Sequence, residues 1–174
     1  MLIVFGGLPG VGKTTLARLL AAELRAVFLR IDAIEQALRD TRRVPGDMAD
    51  TGYRAAYALA RENLRLGLDV VADSVNPIGL TRRAWRAAAR AEGAACAEVE
   101  VVCSDLAEHR RRVEMRQPDI PGLIPPDWRQ VLARTYEPWD GPRIRIDTAG
   151  RDAAQAFAEL RRALRAHPGA GDTP

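Results

Sequence analysis

The chain has 174 residues, enough for one ordinary domain with its own core, and a formal net charge of only +3. Its 47% hydrophobic and 28% charged residues make a globular composition, which excludes a fibrous or wholly disordered chain. No apolar run reaches the roughly 18 residues of a transmembrane helix, and the charge is too small and too even to imply duplex binding by itself.

In chain order, the apolar run Leu2–Phe5 predicts a short buried strand. It lacks a basic region before it and runs straight into a glycine loop, so it does not read as a signal peptide, and a cytoplasmic location is expected. Leu16, Leu19, Leu20 and Leu24 repeat at helical spacing and predict a helix over Thr14–Leu24. A second strand is expected at Val27–Ile31, a short helix at Ala33–Arg39 and a loop at Thr41–Asp50 around Pro45 and Gly46. Tyr53–Leu66 returns to helical periodicity and is closed by Gly67.

Asp69–Ala72 predicts the third strand. Asn76 followed by Pro77 reads as an N-cap and a first helical proline, opening a helix to about Ala91 that Gly93 ends. Ala97–Val102 is the fourth strand, and Ser104 is expected to cap a helix from Asp105 to about Arg116. Gln117–Pro126, rich in proline, reads as a loop, and Asp127 as the cap of a helix to about Tyr136. Arg143–Ile146 predicts the fifth strand, Asp152–Ala166 a final amphipathic helix, and residues 167–174 a disordered tail. Strands that alternate with helices throughout predict an α/β fold, a parallel sheet covered on both faces with right-handed crossovers.

Cys96 and Cys103 stand seven residues apart in one predicted strand, roughly 23 Å in extended chain and beyond disulfide reach, so they are expected to be small buried hydrophobes. His109 has no ligand partner nearby in sequence and is expected at the surface. Trp85, Trp128 and Trp139 are expected to be packing residues.

The segment Gly7-Leu8-Pro9-Gly10-Val11-Gly12-Lys13-Thr14 fits G-x-x-x-x-G-K-[ST], the Walker A pattern, and lies between a predicted strand and a predicted helix. Glycines let backbone N–H groups converge on phosphate oxygens, and the helix N-terminus adds its positive dipole end. With Thr15 these residues form the expected cradle for a nucleoside triphosphate, most simply ATP. Lys13, expected to be exposed in that cradle, can reach the β- and γ-phosphates, and the Thr14 hydroxyl can bind Mg2+. Lys13 is also the only lysine against 25 arginines. A compact ammonium at this one position is hard to replace with a planar fork.

Two carboxylates follow strand ends. Asp32 follows Val27–Ile31, and Asp73 follows Asp69–Ala72, so both belong at the ligand crevice of a doubly wound sheet. One can support magnesium and the other can accept a proton from an incoming hydroxyl; a loop residue or helix cap is the plain alternative for each. Arg110, Arg111, Arg112 and Arg116 crowd the helix that enters the proline-rich loop. Arg112 and Arg116 share a helix face and are expected to close over the phosphates when ATP binds, with Gln117–Pro126 as the hinge region.

On these residues the chain resembles the small P-loop kinases of the zeta-toxin, chloramphenicol phosphotransferase and polynucleotide kinase type. The resemblance rests on the P-loop, on Arg30-Ile31-Asp32, on Val70-Val71-Ala72-Asp73-Ser74-Val75-Asn76-Pro77, and on Cys103-Ser104-Asp105 followed by the arginine-rich helix. It implies a five-stranded parallel sheet of order 2-3-1-4-5 in a single kinase-like domain over residues 1–166, an arginine-rich lid, and ATP-dependent transfer to a hydroxyl. It makes Asp32 the general base, leaves Asp73 to the metal, and sets the Ile146–Gly150 turn beside adenine. Where polynucleotide kinases commonly place an arginine three residues after this Asp, the chain has Glu35, which favours a neutral or cationic small acceptor such as an antibiotic or an amino sugar. A polynucleotide or nucleoside kinase, and a nucleotide-binding ATPase without a phosphoryl acceptor, are the alternatives. Nothing in the sequence fixes the acceptor or the oligomeric state.

Overall fold

The computed structural model describes residues 1–41 and 50–167. The predicted loop around Pro45 and Gly46 and the predicted tail from residue 168 onward lie outside the described residues. Five short strands form one sheet: β1 (Leu2–Gly6), β2 (Val27–Arg30), β3 (Val70–Asp73), β4 (Cys96–Val102) and β5 (Ile144–Asp147). All pairings are parallel and the order is β2-β3-β1-β4-β5. This is the P-loop NTPase topology that the resemblance implied. The helices are α1 (Lys13–Leu24), α2 (Ile31–Asp40), α3 (Thr51–Arg65), α4 (Gly79–Ala91), α5 (Leu106–Met115), α6 (Trp128–Ala133) and α7 (Ala153–Arg165).

The period-two alternation of a strand divides the core between the two faces of the sheet. Ile3 and Phe5 of β1, Val71 of β3 and Val99 and Val101 of β4 pack with α1 and α7, through residues such as Leu16, Leu20 and Leu160. Leu2, Val4, Val70 and Ala72 point the other way, onto Ala56, Ala60, Leu64 and Trp85 of α3 and α4. β4 breaks the apolar pattern on that second face with Glu98 and Glu100. Both are buried and bonded to arginines, Glu98 to Arg86 at 2.9 Å and Glu100 to Arg143 at 2.6 Å. Among the described residues no helix is long and apolar enough to cross a membrane. Cys96 and Cys103 are free, and burial pushes the Cys96 thiol up to about 12.

Three local readings of the sequence are corrected. Asn76 is not a cap: it is fully buried in the left-handed region at φ 51°, and α4 begins three residues later at Gly79. The Pro77 carbonyl that would have started the helix is taken by Glu137 N (2.8 Å) and Arg82 Nη2 (3.0 Å), while Gly79 N donates to the Glu137 carboxylate at 2.6 Å. Asp105, not Ser104, caps α5, its carboxylate accepting from Ala107 N and Glu108 N, while the Ser104 hydroxyl and N–H both turn to the Asp147 carboxylate, the N–H at 3.0 Å. α6 stops at Ala133 rather than Tyr136. The chain beyond it is drawn out as a strap by buried Arg82, which donates to the Glu137 and Pro138 carbonyls and lies 4.4 Å over the Trp139 ring.

Candidate active site

The turn between β1 and α1 is held in a shape that side chains would obstruct. Gly7 sits at φ 137°, and a Cβ there would lie 2.2 Å from the Val101 carbonyl oxygen; at Gly10, φ 87°, it would lie 2.5 Å from Val113 Cγ2. The loop is thus wedged between the end of β4 and the inner face of α5. His109 makes the same contact from the helix side. It is buried, its Nε2 lies 2.8 Å from the Pro9 carbonyl oxygen, and its ring meets Trp128 edge-on at 5.0 Å. The expectation of a surface histidine is therefore corrected. Residues 109 and 113 are one helical turn apart and share the face that α5 turns onto the P-loop.

Lys13 is also not exposed. It retains 8% of its accessible surface, and its Nζ donates to the Leu8 carbonyl at 3.1 Å. Burial lowers its pKa, opposed by the negative charges of Asp73 and Asp32. Asp73, only 3% exposed at the end of β3, is shifted the other way. Burial raises its carboxyl, while Lys13, the Thr14 hydroxyl and Arg30 draw it down. Asp32 lies in the first turn of α2, half-buried, and lines the same cavity as Asp73.

Two cavities meet at this point. One, of about 430 Å3, is lined by Gly12–Leu16, Arg112, Arg116, Thr148 and residues 151–153. The other, of about 580 Å3, is lined by Asp32, Glu35, Tyr53, Asp73 and Arg134 together with the 122–126 segment. Lys13, Thr14 and Arg116 line both. Of the P-loop residues singled out in the sequence, Gly10, Gly12, Lys13, Thr14 and Thr15 line the first cavity, and Pro9 lines the second. Gly7, Leu8 and Val11 line neither, and Val11 instead packs into the core beside Leu8.

The arginines divide. Arg110 pairs with Glu114 on the exposed face. Arg112 is fixed to the turn after β5, donating to Thr148 Oγ1 at 2.7 Å and Thr148 O at 2.9 Å while pairing with Glu108. Arg116 alone sits at the junction of the cavities, with its nearest carboxylate, Asp119, 4.0 Å away. Glu35 is already paired with Arg39 at 3.1 Å, which offsets the charge from which a cationic acceptor was expected.

Sequence reasoning named Arg30 within its motif but gave it no role, and it missed Asp119. Arg30 closes β2 with a side chain 4% exposed and grips Asp119 with both terminal nitrogens, at 2.7 and 2.9 Å; Arg18 reaches the same carboxylate at 2.7 Å. An arginine at the end of a buried parallel strand was the available signal, because a charge there must find a partner.

The family model described as an AAA domain matches residues 2–123. The chain belongs to that family. Among solved structures it is similar to the APS kinase of Mycobacterium tuberculosis in complex with AMPPNP and APS, at 20% identity over 94% of this chain and 96% of that one, TM-score 0.70. It is similar to Kti12 of Chaetomium thermophilum in complex with ADP-AlF3, at 24% identity over 94% and 98%, TM-score 0.67. It is also similar to a gluconokinase of Sinorhizobium meliloti, at 22% identity over 92% and 91%, TM-score 0.61. No curated protein sequence matches it. At these identities the likeness speaks for the fold.

Proposed function

We propose that the protein is a small P-loop kinase that moves the γ-phosphate of ATP to a hydroxyl of a small molecule. The observation that carries this reading is the meeting of two cavities at Lys13, Thr14 and Arg116. A nucleotide hydrolase needs one cavity and a water; a phosphotransferase needs two ligands end to end. The larger cavity, at about 580 Å3, has the size of a small-molecule site, which favours a metabolite or an antibiotic over a nucleic-acid strand. The similar structures add consistent support, since they are two kinases, one of them with AMPPNP and APS, and a protein in complex with ADP-AlF3. The zeta-toxin and chloramphenicol phosphotransferase type, with one catalytic domain over residues 1–166, remains the reading of the sequence that this proposal keeps.

The P-loop amides and Lys13 bind the triphosphate, and burial of Lys13 makes its charge count for more than it would in water. Thr14 and Asp73 are an alcohol and a carboxylate side by side, the hard-oxygen pair that suits Mg2+ completed by phosphate oxygens and water. Bound there, magnesium supplies charge neutralisation to the phosphates. Asp32 lines the acceptor cavity and is assigned as the base that takes the proton from the attacking hydroxyl. Arg116 is assigned to the charge that grows between donor and acceptor, while Arg112 holds the turn that borders the nucleotide.

The test is a screen of hydroxyl-bearing metabolites, antibiotics and oligonucleotides with γ-labelled ATP. A small molecule that acquires label in wild-type protein and not in Asp32→Asn supports the reading. Label found only in inorganic phosphate, whatever the acceptor, refutes it.

A further inference from the structure

Arg30 stands between two carboxylates. Its terminal nitrogens Nη1 and Nη2 are bonded to Asp119, while its Nε lies 3.8 Å from Asp73 Oδ2 and has no hydrogen-bond partner. A buried N–H of a charged group left unpaired is costly, and a shift of less than an ångström would pair it with Asp73. Asp119 differs in kind from its neighbour. It belongs to the segment that follows α5, is 37% exposed, and also receives Arg18 at 2.7 Å and Arg116 at 4.0 Å. Three guanidinium groups from α1, β2 and the end of α5 therefore converge on one side chain of the segment that lines both cavities.

We propose that Arg30 is a positioning residue that ties the 116–126 segment to the metal-supporting carboxylate, with Asp119 holding Arg30 away from Asp73. When Asp119 is docked, both terminal nitrogens of Arg30 are used and Asp73 is left to the Thr14 side of the site. When Asp119 leaves, the nearest remaining carboxylate is Asp73, 3.8 Å from Nε, with Asp32 farther off, and closing on Asp73 takes that oxygen from magnesium. Docking of the segment and availability of the metal carboxylate become one event. The inference rests on the phosphotransfer reading, which gives Asp73 its metal.

The experiment titrates magnesium against binding of AMPPNP, a non-hydrolysable ATP analogue, and follows amide hydrogen exchange of residues 116–126. Asp119→Asn is expected to speed exchange in that segment. It is also expected to raise the magnesium needed for half-maximal binding about tenfold, the weight of one hydrogen bond to a charged group. Arg30→Gln is expected to speed the same exchange without raising the magnesium requirement, because the competing cation is gone. The double variant Asp119→Asn/Arg30→Gln returns the requirement to the wild-type value, and Asp119→Glu restores slow exchange. A merely structural role would move both single variants in the same direction and give no rescue. The proposal is overturned if exchange in Asp119→Asn is unchanged, or if the magnesium requirement rises equally in both single variants. Asp119 is partly exposed, so its variants test the idea even where loss of buried Arg30 prevents folding. Wild-type protein that binds the analogue without any dependence on magnesium overturns the phosphotransfer reading instead, and the exchange data still show whether the tie exists.

Discussion

Replacing Lys13 with methionine keeps the length and apolar stem of the side chain and removes its charge. In the structure Lys13 is 8% exposed and, among the described residues, its ammonium donates one hydrogen bond, to the Leu8 carbonyl at 3.1 Å. What the fold loses is therefore a single backbone contact and the attraction of Asp73 and Asp32, and what it regains is the burial of an ion. Because Asp73 stays buried with less opposing charge, stability is expected to fall by up to about 3–5 kcal/mol. Nucleotide binding stands differently. A buried ammonium that reaches two phosphate oxygens makes two charge-assisted bonds of about 1.5–3 kcal/mol each. Their loss corresponds to at least about a hundredfold weaker affinity, up to about ten-thousandfold. Isothermal titration with AMPPNP and magnesium measures the affinity, and urea unfolding of the same preparation measures the stability. A folded Lys13→Met protein that binds the analogue within threefold of wild type would refute the assignment of the P-loop as the nucleotide cradle.

Asp32→Asn is expected to lower kcat by about 10²-fold or more while leaving the ATP-analogue Kd nearly unchanged, read by steady-state kinetics beside titration calorimetry. For Asp73, burial holds the carboxyl above its ordinary range. A raised folded-state pKa means that the wild type loses stability as pH climbs from the ordinary carboxylate range through the raised value. Asp73→Asn lacks that titration, so its stability relative to wild type should grow in urea melts as pH rises above the ordinary carboxylate range; a flat or falling difference would contradict the burial argument. Arg112→Ala should lose about 1–2 kcal/mol of stability with its bonds to Thr148, whereas Arg116→Ala should keep wild-type stability and lose kcat.

How far the sequence reaches is visible in which residues it placed and which it did not. The alternation of strands and helices was legible because β1 is an unbroken apolar run, the other strands carry apolar residues at strand spacing, and the helices carry apolar stripes, patterns that burial imposes. The P-loop was legible for a local reason too: glycines, lysine and threonine act within eight adjacent positions, and their geometry is set by the turn they make. The strand order came from the resemblance alone, since periodicity says nothing about which strands are neighbours. The errors share one cause. Asn76, Ser104 and His109 were read from their immediate neighbours, and each is governed by a distant partner: Tyr53 and Arg82 for Asn76, Asp147 for Ser104, Pro9 for His109. Arg30 and Asp119 are 89 residues apart, and Asp119 sits in a proline-rich stretch whose composition announces only a loop. Local pattern reports what a segment needs from water and from its own backbone. It is blind to a need that another segment fills, and a transfer site assembled from the ends of several strands is made of such needs. Arg30 shows how the gap narrows. A cation at the last position of a buried parallel strand declares that a carboxylate must come to it, so the sequence held the demand for Asp119 even though only the fold could supply its address.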